Sequence, residues 1–169
     1  MDLKNKEAVM AHLEDTITHK QFILSSGLIM IRYLFDNERI SDALDLAKRI
    51  SVHDHSKLAS DEIDHFIQMP IKKKGRKPNG RLTEDQRKLL KIHWSKNRHH
   101  PEFHEDYTQM TEIDVLEMVC DWHARSTQFE SNLMEFVEDV VKERFKFDDE
   151  FYKKVYDYCM ILYSSSKDQ

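Results

Sequence analysis

Residues 50–60, ISVHDHSKLAS, place two imidazoles, a carboxylate and an ammonium next to one another. His53 and Asp54 are adjacent, and His55 and Lys57 follow within three positions. Imidazole and carboxylate groups either compete for one proton or bind one cation. Two interpretations are open for this motif: a polar turn between two helices, or one corner of a metal site.

Other metal-binding side chains occur in four further segments, as His19, His93, His99 with His100, and Asp121. Taken singly, the histidines are more typical of a solvated helix face (His19), a hydrogen bond to a backbone carbonyl (His93) or a polar turn (His99 and His100) than of a metal site. Asp121 is harder to explain in this way, because its neighbours in MVCDWHA are apolar and a buried carboxylate is costly unless it is paired or binds a cation. The ordered combination H…HD…H…HH…D is more specific than any one member. It predicts a site for Mn²⁺, Fe, Zn²⁺ or a Mg²⁺-type ion, since cysteine is scarce.

Helices are the elements that must position these groups. The chain of 169 residues contains only three glycines and three prolines, too few for the many turns of an all-β fold. Apolar residues recur at helical spacing along most of its length. We therefore predict one all-α domain over residues 1–169, a bundle of about six or seven helices.

The longest helix is predicted over about residues 6–35. Its apolar residues recur at spacings of three, four and seven and make one stripe: Leu13, Ile17, Leu24, Leu28, Ile31 and Phe35. A second helix is predicted over about 41–51, with Ser41 as N-cap and with Ala43, Leu44, Ala47 and Ile50 facing inward. Thr111 and Asp148 are predicted to begin two later helices.

A basic loop is predicted at about residues 70–82, where two of the prolines, two of the glycines and six Lys or Arg residues occur. As the lid of an enzyme it could gather an anionic substrate. It could also bind nucleic acid, but no aromatic residue is interleaved for base stacking and the net charge of the chain is −5, so a nucleic-acid partner is not expected.

The chain is expected to be cytoplasmic. The first fifteen residues lack the apolar region of a secretory signal, and the most apolar stretch, residues 22–31, is too short to cross a bilayer. Cys120 and Cys159 lie in apolar helical patterns, which favours buried thiols in a reducing compartment.

The ordered motif resembles the HD-domain superfamily of metal-dependent phosphohydrolases, which are all-α. HDHSK is similar to the HDxGK form of its two-metal members, including the HD-GYP phosphodiesterases, and HHPE at residues 99–102 is similar to their HHE motif. No GYP follows, so activity on cyclic dinucleotides is not implied. A nearer resemblance, over about residues 12–130, is to an uncharacterised family of short HD-like proteins from bacteria and phages, which share HDxSK, HHPE and EM-x-x-DW.

The resemblance implies a role for each residue. Asp54 would bridge two divalent ions; one would be completed by His19, His53 and Asp121, and the other by His93 with His99 and His100. A water activated by the ions would attack phosphorus, with Asp54 and Lys57 as the catalytic residues. Lys57, Lys96 and Arg125 are the expected contacts of a small phosphorylated, nucleotide-like substrate. The alternative is a binding or regulatory protein on the same fold that has lost catalysis.

Overall fold

The computed structural model describes residues 6–67 and 84–165. Within these ranges the chain forms helices and no strand, so the predicted all-α class is confirmed. The helices are α1 (Lys6–Asp36), α2 (Ile40–Val52), α3 (Ser60–Phe66), α4 (Glu84–Trp94), α5 (Glu112–Gln128), α6 (Leu133–Phe136), α7 (Lys142–Phe145) and α8 (Asp149–Ser165). A π-helical turn, Val137–Val141, joins α6 to α7, so residues 133–145 act as one helical segment. The whole of the predicted basic loop, residues 70–82 with Lys72, Lys73 and Lys74, lies outside the described residues.

Three short 3₁₀ turns complete the connections: His55–Leu58, Pro101–Phe103 and Tyr107–Gln109. No helix among the described residues is long and apolar enough to cross a membrane. Both cysteines are buried free thiols.

Helix α5 is the centre of the fold. It packs against α1, α2 and α8, and most of its side chains are buried. Its start is fixed by a capping box, in which the Thr111 hydroxyl accepts from the Asp114 amide and the Asp114 carboxylate accepts from the Thr111 amide. The predicted start at Thr111 is therefore confirmed. So is the cap at Asp148, whose carboxylate accepts from the Phe151 amide.

The apolar stripe predicted on the first helix does not face the core. The buried side of α1 carries His12, Thr16, His19, Ile23, Ser26, Gly27, Met30 and Leu34, whereas most of the predicted stripe is exposed. Helix α2 also departs from its prediction: Leu44 is 54% exposed, and the helix begins at Ile40 with Arg39 as N-cap instead of Ser41. Periodicity alone could not choose the inward side of α1, because half of its buried residues are polar.

Candidate metal centre

His19 enters the protein interior from the middle of α1. Its side chain is fully buried, and it lies one turn from Ile23 on the side that packs against α5. A buried imidazole on the core side of a helix needs a polar partner. His19 has one in Asp121 of α5, whose Oδ1 lies 2.9 Å from His19 Nε2.

His53 and Asp54 are presented by the chain reversal after α2. Asp54 adopts the left-handed conformation with φ 53° and ψ 22°, and the 3₁₀ turn begins immediately after it. Such a conformation is unfavourable for most side chains but is tolerated by Asp and Asn. It allows two consecutive residues to be buried, with 1% and 2% exposure.

The first group of donor atoms consists of His19, His53, Asp121 and one oxygen of Asp54. His19 Nε2 lies 3.3 Å from His53 Nε2. Asp54 Oδ2 lies 3.8 Å from His19 Nε2 and 3.5 Å from His53 Nε2. The four ligand atoms are within 4.8 Å of one another, which is the separation expected around a single cation.

The second group uses the other oxygen of Asp54. Asp54 Oδ1 lies 3.2 Å from His93 Nε2 and 3.6 Å from His99 Nε2. His100 joins them within the same 4.8 Å limit. The side chains come from the end of α4 and from the turn before Pro101. Asp54 thus faces one histidine group with each of its oxygens, as a bridging carboxylate would.

Two of the buried ring nitrogens have no hydrogen-bond partner. They are His99 Nε2 and His100 Nε2, and both residues belong to the second group. A buried polar atom without a partner costs free energy, and native proteins rarely retain such atoms together. The donor set therefore fits a divalent cation: the buried His and Asp groups could hold a metal ion.

Two carboxylates lie behind the histidines. Glu117 Oε1 lies 2.9 Å from His53 Nδ1 and 3.3 Å from His99 Nδ1. Glu62 Oε2 lies 2.9 Å from His93 Nδ1. Each ring can donate its Nδ1–H to one of these carboxylates, so that Nε2, which faces Asp54, would be the atom that binds a cation. Carboxylate–histidine pairs of this kind orient metal ligands and raise their basicity.

The roles of Glu62 and Glu117 could not be assigned from the sequence. Glu117 is part of EM-x-x-DW and lies four positions before Asp121, and therefore on the same side of α5, which is the one sequence signal that points to it. Arg49 of α2 binds Glu117 Oε2 at 2.6 Å and Asp114 Oδ1 at 3.2 Å. This ion pair fixes the carboxylate that orients two histidines.

The charge states of the buried donors suit cation binding. Burial and the positive charge of Arg125 lower the pKa of His19 to about 3, against the hydrogen bond with Asp121, so its lone pair is free at neutral pH. Burial alone would raise the pKa of Asp54, but the positive charges of His53 and Lys57 hold it well below its usual range. Asp54 is therefore ionised.

His53 lies between two carboxylates that favour its charged form. Burial lowers its pKa, but the nearby carboxylates of Asp54 and Asp121 outweigh burial and raise the pKa well above its usual value. Because a metal ligand must be unprotonated, a cation that binds here would displace a proton from His53.

Lys57 is buried against the same carboxylate. Its ammonium donates to Asp54 Oδ2 and lies 5.5 Å from the centre of the Phe66 ring. Only 6% of the residue is exposed. The Lys57 ammonium therefore lies beside the candidate ligand atoms and uses one of its three N–H donors in the hydrogen bond to Asp54.

The other two predicted substrate contacts lie farther out. Lys96 is partly exposed and pairs with Asp61 and Glu62. Arg125 Nη1 pairs with Asp15 at 3.1 Å and acts on His19 through its charge. A cleft of about 290 Å³ adjoins the centre, and its lining includes His53, Asp54, His99, Arg49, Lys96 and Arg98.

Glu117→Gln is expected to weaken metal binding by about 10–100-fold, because it removes the charge that orients His53 and His99. Metal affinity measured by calorimetric titration of the metal-free protein checks this. Glu112→Gln is the matched control, since Glu112 lies on the same helix but pairs with Arg39 and Tyr158 instead. Equal affinities in the two variants would contradict an orienting role for Glu117.

Comparison with known proteins adds a family but no activity. The model of a family of unknown function (DUF5662) matches residues 8–161. No curated protein and no solved structure matches the chain. The matched range contains every donor of the two groups, from His19 to Asp121.

Proposed function

The chain belongs to the family of unknown function DUF5662, and from that premise we propose that it is a metal-dependent phosphohydrolase. The substrate is a phosphate ester or anhydride of a small, nucleotide-like molecule. One observation carries the proposal: the two oxygens of the buried Asp54 face two separate histidine groups. A single carboxylate in that position can hold two cations about 3.5–4 Å apart, as in two-metal hydrolases.

The donors suit two divalent ions, which could be Mn, Fe, Zn or Mg. When bound, such ions would lower the pKa of a water and polarise a phosphoryl oxygen. His19, His53 and Asp121 would hold one ion, and His93 with His99 and His100 the other. Glu62 and Glu117 keep the rings oriented. Seven of these eight side chains are buried, and His100 is half-buried, so the donors are largely shielded from bulk water.

A phosphorylated substrate is supported by the cations around the centre. Lys57 retains two N–H donors beside Asp54 and can direct them to a phosphate oxygen. Lys96 is a cation of the adjoining cleft. Arg125 adds a fixed positive charge near His19. A phosphate group carries more negative charge for these three cations to neutralise than a carbonyl substrate does.

The direct test is turnover of a phosphoester panel, with nucleotides and nucleotide diesters, by purified protein loaded with Mn²⁺, Fe²⁺, Zn²⁺ or Mg²⁺. Hydrolysis that is lost with a chelator and restored by metal supports the proposal. Metal binding without turnover of any member would favour the alternative, a catalytically inactive binding or regulatory protein on this fold.

His93→Ala is expected to halve the bound metal, because His93 contacts only the second group. Elemental analysis should show the number of metal ions per chain falling from about two to about one, since one of the two proposed sites is lost. His104→Ala is a suitable control, since that ring lies 3.9 Å from Asp114 and belongs to neither group. A wild-type content of one ion per chain would contradict the two-metal arrangement and leave a single-metal hydrolase.

A further inference from the structure

The outer side of α1 presents a row of large apolar side chains to solvent. Five of them are between 48% and 67% exposed: Met10, Ile17, Leu24, Leu28 and Phe35. They recur at spacings of seven and four, so they share one side of the helix, about 120° from the buried side. Contiguous exposed apolar surface of this kind marks an interaction site, whereas scattered single residues do not.

Helix α2 widens this apolar face. The three-residue connection after α1 returns the chain antiparallel, and Ile40 and Leu44 of α2 are 51% and 54% exposed. The two helices are close together, because a Cβ on Gly27 would lie only 2.9 Å from the Cγ atoms of Ile50. We call the seven exposed side chains of α1 and α2 the outer apolar face.

The remaining sequence offers little to cover this face. The segments outside the described residues, 1–5, 68–83 and 166–169, contain five large apolar residues in total, and residues 72–81 contain six Lys or Arg. Seven large apolar side chains need an apolar partner of similar length. In the part of the chain that the structure describes, the exposed apolar surface of matching length is the face itself.

The spacing on α1 is close to symmetric under reversal. When two copies of α1 run antiparallel, Met10 lies opposite Phe35 of the other copy, Ile17 lies opposite Leu28, and Leu24 lies near the centre. A twofold axis there brings the same side of both helices together. The row is therefore self-complementary in length and position.

The charges at the rim follow the same symmetry. Glu14 and Arg32 are both exposed and lie beside the apolar row, on the side away from α2. Neither has an ion-pair partner among residues 6–67 and 84–165. In the antiparallel pair, Glu14 of each copy lies opposite Arg32 of the other. Opposite charges at the rim give specificity to such a contact.

We propose that the outer apolar face binds the same face of a second copy of this chain, with the two α1 helices antiparallel about a twofold axis near Leu24. Half-exposed side chains of this size leave on the order of 100 Å² each in solvent, so seven of them approach the ~800 Å² per partner of a standard interface. The dimer does not use the side of α1 that carries His12 and His19, so the contact does not involve the candidate metal centre. The inference does not depend on the proposed catalysis.

Analytical ultracentrifugation of the full-length chain over ~1–100 µM, the range in which interfaces of this size dissociate, tests the proposal. A wild-type dimer is expected. Leu28→Glu should raise its dissociation constant by about 100-fold or more, because each dimer contains the change twice. Met160→Glu is the matched control: Met160 is a 36% exposed apolar residue on α8, remote in sequence from the face, and its substitution should leave the dimer intact.

Charge reversal distinguishes a second copy from another occupant. Glu14→Lys and Arg32→Glu should each weaken the dimer by about 10-fold, and the chain carrying both should regain the wild-type dissociation constant. Circular dichroism confirms that each variant is folded. A monomeric wild type at all concentrations, a Leu28→Glu dimer of unchanged affinity, or a double reversal that fails to restore affinity would each overturn the proposal.

Discussion

Asp54→Asn is expected to abolish binding at both groups of donors and to lower turnover by about 10³-fold or more, since loss of an outer-shell partner alone costs 10–100-fold. Each oxygen of Asp54 faces a different histidine group, so one substitution removes a donor from both. Asn is the suitable replacement because, like Asp, it tolerates the left-handed backbone at this position. The substitution therefore removes the carboxylate charge and leaves the backbone turn intact.

Thermal unfolding with and without a chelator measures this outcome independently of any substrate. A metal that binds only the folded chain raises its melting temperature, so the chelator should destabilise the wild type and leave Asp54→Asn unchanged. Asp45→Asn, at an exposed carboxylate of α2, is the control and should behave like the wild type. Asp121→Asn should impair the first group alone. Full metal content in Asp54→Asn would contradict the bridging role.

Lys57→Ala is expected to lower turnover by about 10²–10³-fold, the usual effect of losing a preorganised donor to developing charge. Metal affinity should hold or rise, because the Lys57 ammonium competes with a cation for Asp54 Oδ2. The two effects thus have opposite directions. Steady-state kinetics at saturating metal, together with metal titration, separates them.

Two further variants sharpen the result for Lys57. Lys57→Arg should restore little activity, since a planar guanidinium does not replace a point charge buried beside one carboxylate oxygen. Lys48→Ala, at an exposed lysine of α2, should retain full turnover. A parallel fall in metal affinity and turnover in Lys57→Ala would mean that the ammonium supports the ligands and does not act on phosphate.

Much of the fold was predictable because local rules governed it. The starts of α5 and α8 follow from capping side chains next to apolar periodicity. The inward side of α1 was not predictable from apolar periodicity. Four of its buried residues are polar: His12, Thr16, His19 and Ser26. The apolar residues that usually reveal a core side lie on the outer apolar face instead.

For the candidate centre, the order of the motif sufficed to choose residues that the structure brings together. The sequence could not supply distances, and therefore could not show that Asp54 divides its oxygens between two groups or that Lys57 lies on Asp54. It also could not identify Glu62 and Glu117, because an acidic residue that orients a histidine looks in sequence like any acidic residue on a helix. Only tertiary contact distinguishes them.

The donors of the centre are distributed between His19 on the first helix and Asp121 on the fifth. Contacts between such distant positions form only after large loops have closed, so they arise late when a chain folds. A bound cation would then have few of its ligands in place at the folding transition state. Bound metal should accordingly lower the unfolding rate of this protein much more than it raises the folding rate. The metal-bound chain should then stay folded through a slow unfolding rate as much as through its free energy of unfolding.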